Sequence, residues 1–171
     1  WGCIPTKALI KSAQVFDYLK HAEDYGLTVK EYDKDFDAVV NRSRNVAAGM
    51  SKGVQFLMKK NKIDVLNGFG KVLPKKQVSV LLDGKEEIYQ ADHIILATGA
   101  RSRELPSLPQ DGKKVIGYRE AMTLPKQPKK LIVVGSGAIG IEFAYFYNAM
   151  GTEVTVVEYQ DRIVPVEDEE I

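Results

Sequence analysis

Apolar residues recur at helical spacing over residues 7–24, at Ala8, Leu9, Ser12/Ala13, Val15/Phe16 and Leu19, and predict an amphipathic helix. Pro5 stands just ahead, where a first-turn proline is tolerated, and Gly26 supplies a stop. Phe36, Val39/Val40, Val46/Ala47, Met50, Val54 and Leu57 predict a second helix over 35–61. The period then shortens: 64–72, 77–82 and 86–91 read as strands, with Pro74-Lys75-Lys76 and Asp83-Gly84 as turns. His93–Ala97 is continuous and apolar, as expected of a parallel strand buried on both faces. Residues 100–128 hold four prolines and little periodicity; they read as a connector with a helical turn near 120–124 and mark the domain boundary. Beyond them lie a strand at 131–134, a glycine turn at 135–140, a helix at 139–150 stopped by Gly151, and a strand at 153–158. That order is a strand–helix–strand unit of a doubly wound α/β sheet.

Composition narrows the classes. With 24 basic and 23 acidic side chains the net charge is +1, which gives no drive for nucleic-acid binding. No apolar run approaches the roughly 20 residues of a membrane helix. A cytoplasmic location, or the mitochondrial matrix in a eukaryote, is expected. A single cysteine, Cys3, allows no internal disulfide. His21 and His93 lack metal-ligand spacing, and no metal site is expected. The opening Trp1-Gly2 and the acidic run Glu167–Glu170, which resembles the first turn of a helix, read as two cut ends of a longer chain.

Gly135-Ser136-Gly137-Ala138-Ile139-Gly140 matches the dinucleotide fingerprint in its proper strand-to-helix context. Gly135 allows the tight turn, Gly137 lets a pyrophosphate approach the backbone, and Gly140 lets the helix pack on the strand. Ser136, Ala138, Ile139 and Ile141 belong to the same candidate cradle at the helix N-terminus. Glu158, at the end of the following strand, is placed to accept bonds from the ribose hydroxyls and to repel a 2′-phosphate, which favours NAD over NADP.

Trp1-Gly2-Cys3-Ile4-Pro5-Thr6-Lys7-Ala8-Leu9 resembles the second half of the redox segment of the FAD- and nicotinamide-dependent disulfide reductases, C-x-x-x-x-C followed by I/V-P-S/T/K-K. Gly68-Phe69-Gly70, Ala97-Thr98-Gly99, Gly140-Ile141-Glu142 and Asp161-Arg162-Ile163-Val164-Pro165 resemble further segments of that family, in its order. The Ile4–Leu9 spelling is most similar to the dihydrolipoamide dehydrogenase branch, although Trp1 departs from the small apolar residue usual there. The resemblance implies that 1–99 is the C-terminal part of an FAD-binding domain, 100–128 a connector and 129–171 the start of a Rossmann-like NAD-binding domain, with the dimer-interface domain outside the chain.

It further implies that Cys3 is the cysteine nearer the flavin, reactive as thiolate, with its partner cysteine five positions earlier. Lys7 pairs with Glu142 beside the flavin, while Gly70 and Ala97-Thr98-Gly99 meet FAD. The activity implied is reoxidation of protein-bound dihydrolipoamide, with electrons passing through a disulfide and FAD to NAD. The implied enzyme is a homodimer that serves lipoyl-bearing subunits of 2-oxo acid dehydrogenase or glycine-cleavage systems. The 171 residues by themselves are expected to be inactive. Two alternatives stay open: a glutathione- or mercury-directed reductase, and a non-catalytic nucleotide-binding module.

Overall fold

In a computed structural model, which describes residues 1–170, the chain divides into two compact units, Trp1–Met50 with Ser102 onward, and Ser51–Arg101. Helix α1 (Cys3–Lys20) starts earlier than its apolar stripe suggests, because Pro5 falls inside the first turn, where its missing N–H would have no helical acceptor. A short 3-10 turn (Ala22–Tyr25) follows and ends on Gly26, whose φ of 72° lies in the left-handed region. Helix α2 runs from Phe36 to Lys60 and contains the division between the units.

In the first unit, β4 (Lys130–Val134) and β5 (Glu153–Val157) form a parallel pair, Lys130 opposite Glu153 and Val134 opposite Val157. Helix α4 (Ala138–Ala149) makes the crossover between them. Leu131 and Val154 turn toward the helix side, while Ile132, Val134 and Val157 stay exposed on the other face. The core is aromatic and helical. Leu9 and Ala13 of α1 pack with Phe143, Phe146, Tyr147 and Met150, and Met122, just after the short helix α3 (Tyr118–Ala121), closes the cluster. Phe36 reaches the same cluster, its ring 6.1 Å from that of Phe146. Tyr147 is fully buried, and its hydroxyl donates to the Ala121 carbonyl at 2.5 Å, which satisfies the one polar atom the ring brings inside.

The C-terminal end of α4 is tied down from three directions. Lys20 donates to the Ala149 carbonyl at 2.6 Å, Lys34 donates to that of Met150, and Gln127 donates to Met150 at 2.8 Å. These donors occupy carbonyls that a helix end leaves without partners, and the two cations suit its negative dipole. Thr152, also buried, donates to the Pro128 carbonyl at 2.7 Å and so joins β5 to the segment entering β4.

The second unit holds an antiparallel meander of β1 (Phe69–Leu73), β2 (Gln77–Leu82) and β3 (Lys85–Gln90). Asp83 and Gly84, with φ of 49° and 77°, make the two-residue hairpin that sets Leu82 against Lys85. Gly68 lies hard against β2: a β-carbon there would stand 2.7 Å from both the Leu81 carbonyl oxygen and Val80 Cγ1.

Three expectations need correction. The strand read over 64–72 begins only at Phe69, and residues 64–68 lie outside the ladder. His93–Ala97 is not a strand, and Ile95 and Leu96 are 89% and 71% exposed. A strand exists through its ladder, and among the described residues no strand pairs with this one. Glu167–Glu170 forms turns instead of a helix. The Arg162 guanidinium takes the Pro165 carbonyl at 2.8 Å, and Glu167 N–H closes a tight turn on the Val164 carbonyl at 3.0 Å.

Candidate functional site

Cys3 is the first residue of α1, at the positive end of its dipole, and is exposed. Thr6 holds this end in shape: its N–H and its hydroxyl both donate to the Gly2 carbonyl, at 3.2 and 2.9 Å. Four residues on from Cys3, Lys7 lies one helical turn further along the same side. Because α1 packs on α4 through Leu9, Ala13, Phe146 and Tyr147, the Lys7 ammonium reaches across and pairs with the Glu142 carboxylate. The hydrogen bond to Glu142 raises the Lys7 pKa above its ordinary value, with the charges of Glu142 and Cys3 adding to it. The ammonium therefore stays charged at every physiological pH and presents a fixed positive group beside the exposed thiol.

Trp1, unusual for its position, is held by two guanidiniums, Arg44 at 4.5 Å and Arg119 at 5.6 Å from the ring centroid. Both arginines lie far along the chain, so neither contact is visible as a motif.

The glycine turn is built on three different requirements. Gly135 has φ of 97° and donates its N–H to the Val157 carbonyl at 2.7 Å, which closes the turn onto β5. Gly140 has no room: a β-carbon would collide with the Gly135 carbonyl oxygen and come within 3.2 Å of Val133 Cγ1. Gly137, the N-cap of α4, is open, with nothing within 4 Å of where a β-carbon would stand. Ala138, Ile139, Gly140 and Ile141 form the first turn, whose leading N–H groups have no acceptor inside the helix. An open cap over unpaired N–H groups leaves room and donors for an anion.

Glu158 follows β5 directly and folds back onto the turn. Its Oε2 accepts from the backbone N–H and the hydroxyl of Ser136, both at 2.7 Å, and its Oε1 accepts from Gln160 N–H at 2.9 Å. Those bonds, with Gln160 N–H first among them, hold its pKa down to about 2. Ser136 is itself fully buried and receives the Val164 N–H at 2.9 Å. Val164 carries φ of 48°, a left-handed conformation that a β-branched residue rarely adopts.

Thus Cys3, Lys7 and Glu142 come together at the α1–α4 contact, and the turn 135–140 comes together with Glu158. Gly70 lies on β1 and Ala97-Thr98-Gly99 beyond β3, in the other unit; Gly99 has φ of 78°. His21 ends α1 and faces Asp17, whose carboxylate is 3.6 Å away. Among the described residues no group of three or more histidine, cysteine or acidic side chains could hold a metal ion. Among the described residues no helix is long and apolar enough to cross a membrane.

The family model described as pyridine nucleotide-disulphide oxidoreductase matches residues 1–171. A dihydrolipoyl dehydrogenase of Zymomonas mobilis is 48% identical over 172 residues, covering 100% of this chain and 37% of that protein. One from Rhizobium etli is 50% identical over 187 residues, covering 100% of this chain and 39% of the relative. The chain thus spans well under half the length of these relatives. Among solved structures, LpdA of Mycobacterium tuberculosis superposes with a TM-score of 0.87 at 30% identity, over 98% of this chain and 37% of that one. The HOCl-induced flavoprotein disulfide reductase RclA of Escherichia coli gives 0.75 at 26% identity, over 99% of this chain and 35% of its own. The family match over residues 1–171 places the chain in the pyridine nucleotide-disulphide oxidoreductase family.

Proposed function

We propose that the intact protein oxidises a protein-bound dihydrolipoyl group and delivers the two electrons to NAD. The observation that carries this is the contact of Lys7 with Glu142, one helical turn from Cys3, on the helix that opens from the dinucleotide turn. Support for the substrate comes from the relatives named dihydrolipoyl dehydrogenase and from the Ile4-Pro5-Thr6-Lys7 spelling. In this reading 1–99 belongs to an FAD-binding domain, 100–128 is a connector and 129–171 belongs to an NAD-binding domain.

NAD suits the residues present. Gly137 leaves the approach to α4 open, and the Glu158 carboxylate is anionic across the working pH range, which welcomes ribose hydroxyls and repels a 2′-phosphate. FAD is consistent with a charged lysine beside the thiol. When bound, the flavin supplies a two-electron carrier between dithiol and nicotinamide.

The chemistry of the chain's own residues is thiol–disulfide exchange. Cys3 in a disulfide receives an electron pair as the substrate dithiol closes to its own disulfide, leaving two enzyme thiols. The partner cysteine is not among the 171 residues, because Cys3 is the single cysteine they contain. Reoxidation passes a hydride equivalent to NAD and releases one proton, so the sum is dihydrolipoamide plus NAD giving lipoamide, NADH and a proton. Lys7 holds positive charge next to the Cys3 thiolate, and Glu142 orients Lys7. Lipoyl-bearing acyltransferase or glycine-cleavage proteins are the partners this substrate implies, and a homodimer is the assembly carried from the family.

A substrate panel on the intact protein tests the proposal. NADH formation from dihydrolipoamide, with little from reduced glutathione and no NADPH-dependent reduction of mercuric ion, is expected. Preference for another disulfide or for mercuric ion would move the assignment within the family.

A further inference from the structure

We propose that Ser136 is a positioning residue for dinucleotide choice, its hydroxyl setting the Glu158 carboxylate and the chain after β5 so that an NAD-type ribose is accepted and a 2′-phosphate refused. This rests on the reading that Glu158 meets the adenosine ribose.

Ser136 occupies a variable position of the glycine fingerprint, where a ligand contact would be the ordinary guess. The structure gives it a different task. The residue is fully buried, and its hydroxyl is already engaged on both sides: it donates to Glu158 Oε2 at 2.7 Å and accepts from Val164 N–H at 2.9 Å. A nucleotide therefore has no access to it.

The Ser136 backbone N–H donates to the same Oε2 at 2.7 Å, and Oε1 receives Gln160 N–H at 2.9 Å. A carboxylate has about four acceptor positions, two on each oxygen. Oε2 is thus filled, and the remaining acceptor lies on Oε1. Ser136 thereby selects which oxygen faces outward.

The second bond has its own consequence. Val164 stands at φ of 48°, an unfavourable conformation for a β-branched residue, and its N–H finds an acceptor in Ser136. One hydroxyl thus links the glycine turn, the acid at the end of β5 and the strained loop beyond it. Removing it frees Val164, and with it the segment that carries Glu158, while the backbone N–H of residue 136 remains.

The test measures NADH and NADPH binding to the intact protein by calorimetric titration, for wild type, Ser136→Ala, Ser136→Gly, Glu158→Gln and the Ser136→Ala/Glu158→Gln pair. Loss of a bond to a charged group corresponds to roughly a tenfold effect. Ser136→Ala is expected to weaken NADH about tenfold and NADPH less than twofold, narrowing the preference. In the Glu158→Gln background the serine substitution should change NADH binding less than twofold, because its route of action is gone. Ser136→Gly, which keeps the turn's backbone freedom, should repeat the alanine result and serves if alanine does not fold.

Equal weakening of both nucleotides, or an undiminished effect in the Glu158→Gln background, would assign Ser136 a general structural role and overturn the inference. Unchanged NADH binding in both serine variants would overturn it as well. Failure of the wild type to bind either nucleotide would instead remove the functional reading and this inference together.

Discussion

Gly137 and Gly140 belong to one fingerprint, yet their replacement by alanine should have separable effects. At Gly140 a methyl group meets the Gly135 carbonyl oxygen and, at 3.2 Å, Val133 Cγ1. Backbone cannot rotate away as a side chain can, so α4 must move off the sheet. Overpacking of this kind costs about 1–3 kcal/mol, and the better helix propensity of alanine returns roughly 0.5–1 kcal/mol. A clash with a backbone oxygen falls in the upper half of that range, so a net loss of about 1–2.5 kcal/mol is expected for Gly140→Ala. At Gly137 the methyl meets nothing within 4 Å, and φ of −64° suits alanine. Stability of Gly137→Ala should stay within about 0.5 kcal/mol of wild type.

If the proposed cradle holds the nucleotide, the new methyl at residue 137 occupies the space its pyrophosphate needs. Bonds to a charged group contribute about 1.5–3 kcal/mol, so NADH affinity should fall roughly tenfold to a hundredfold. Urea unfolding of the intact protein gives the first quantity and calorimetric titration the second. Wild-type stability for Gly140→Ala would refute the packing argument. Wild-type NADH affinity for Gly137→Ala would show that the nucleotide does not cross the cap of α4.

Three further outcomes are expected. Glu158 is held below its ordinary pKa, so its contribution is complete above about pH 4.5 and is lost as pH falls toward about 2. The stability difference between wild type and Glu158→Gln should therefore be largest above that range and shrink through it; a difference independent of pH from 7 to 2 would contradict the bonding seen at Ser136 and Gln160. Thr152→Val keeps the shape but removes the donor to Pro128 and the acceptor for Gln127, and should lower unfolding free energy by about 1–3 kcal/mol in urea titration. Tyr147→Phe leaves the Ala121 carbonyl without its buried partner and should cost about 1–2 kcal/mol, with a neutral result showing that water reaches that carbonyl.

The legible and illegible parts of the sequence differ for physical reasons. Local patterns spoke clearly: the Asp83-Gly84 hairpin, the stripe from Ala8 to Phe16, and the strand–turn–helix around Gly135 are set by neighbours within a few residues. The Lys7–Glu142 contact is implied by the family resemblance; helical spacing alone offers no partner 135 residues away.

What stayed hidden was long-range or conditional. Trp1 between Arg44 and Arg119 joins three distant segments, and no period announces it. The tethering of the α4 end by Lys20, Lys34 and Gln127 arises from tertiary approach alone. Ser136 looks interchangeable in a glycine fingerprint, and its bracket becomes visible once Glu158 and Val164 are seen to fold back. His93–Ala97 misled because its composition fits a buried strand, whereas pairing requires a neighbour that composition cannot supply. Gly68 and Gly70 share one resembling segment but differ in packing: Gly68 has no room for a β-carbon against β2, while Gly70 is sterically free.

The most direct test of the central claim is an anaerobic absorbance titration of the intact protein, reduced with dihydrolipoamide and then mixed with NAD. A flavin spectrum that gains a long-wavelength band on reduction is expected, the band being absent in Cys3→Ser and disappearing in step with NADH formation. A flavin that dihydrolipoamide does not reduce, or a long-wavelength band that survives Cys3→Ser, would contradict it.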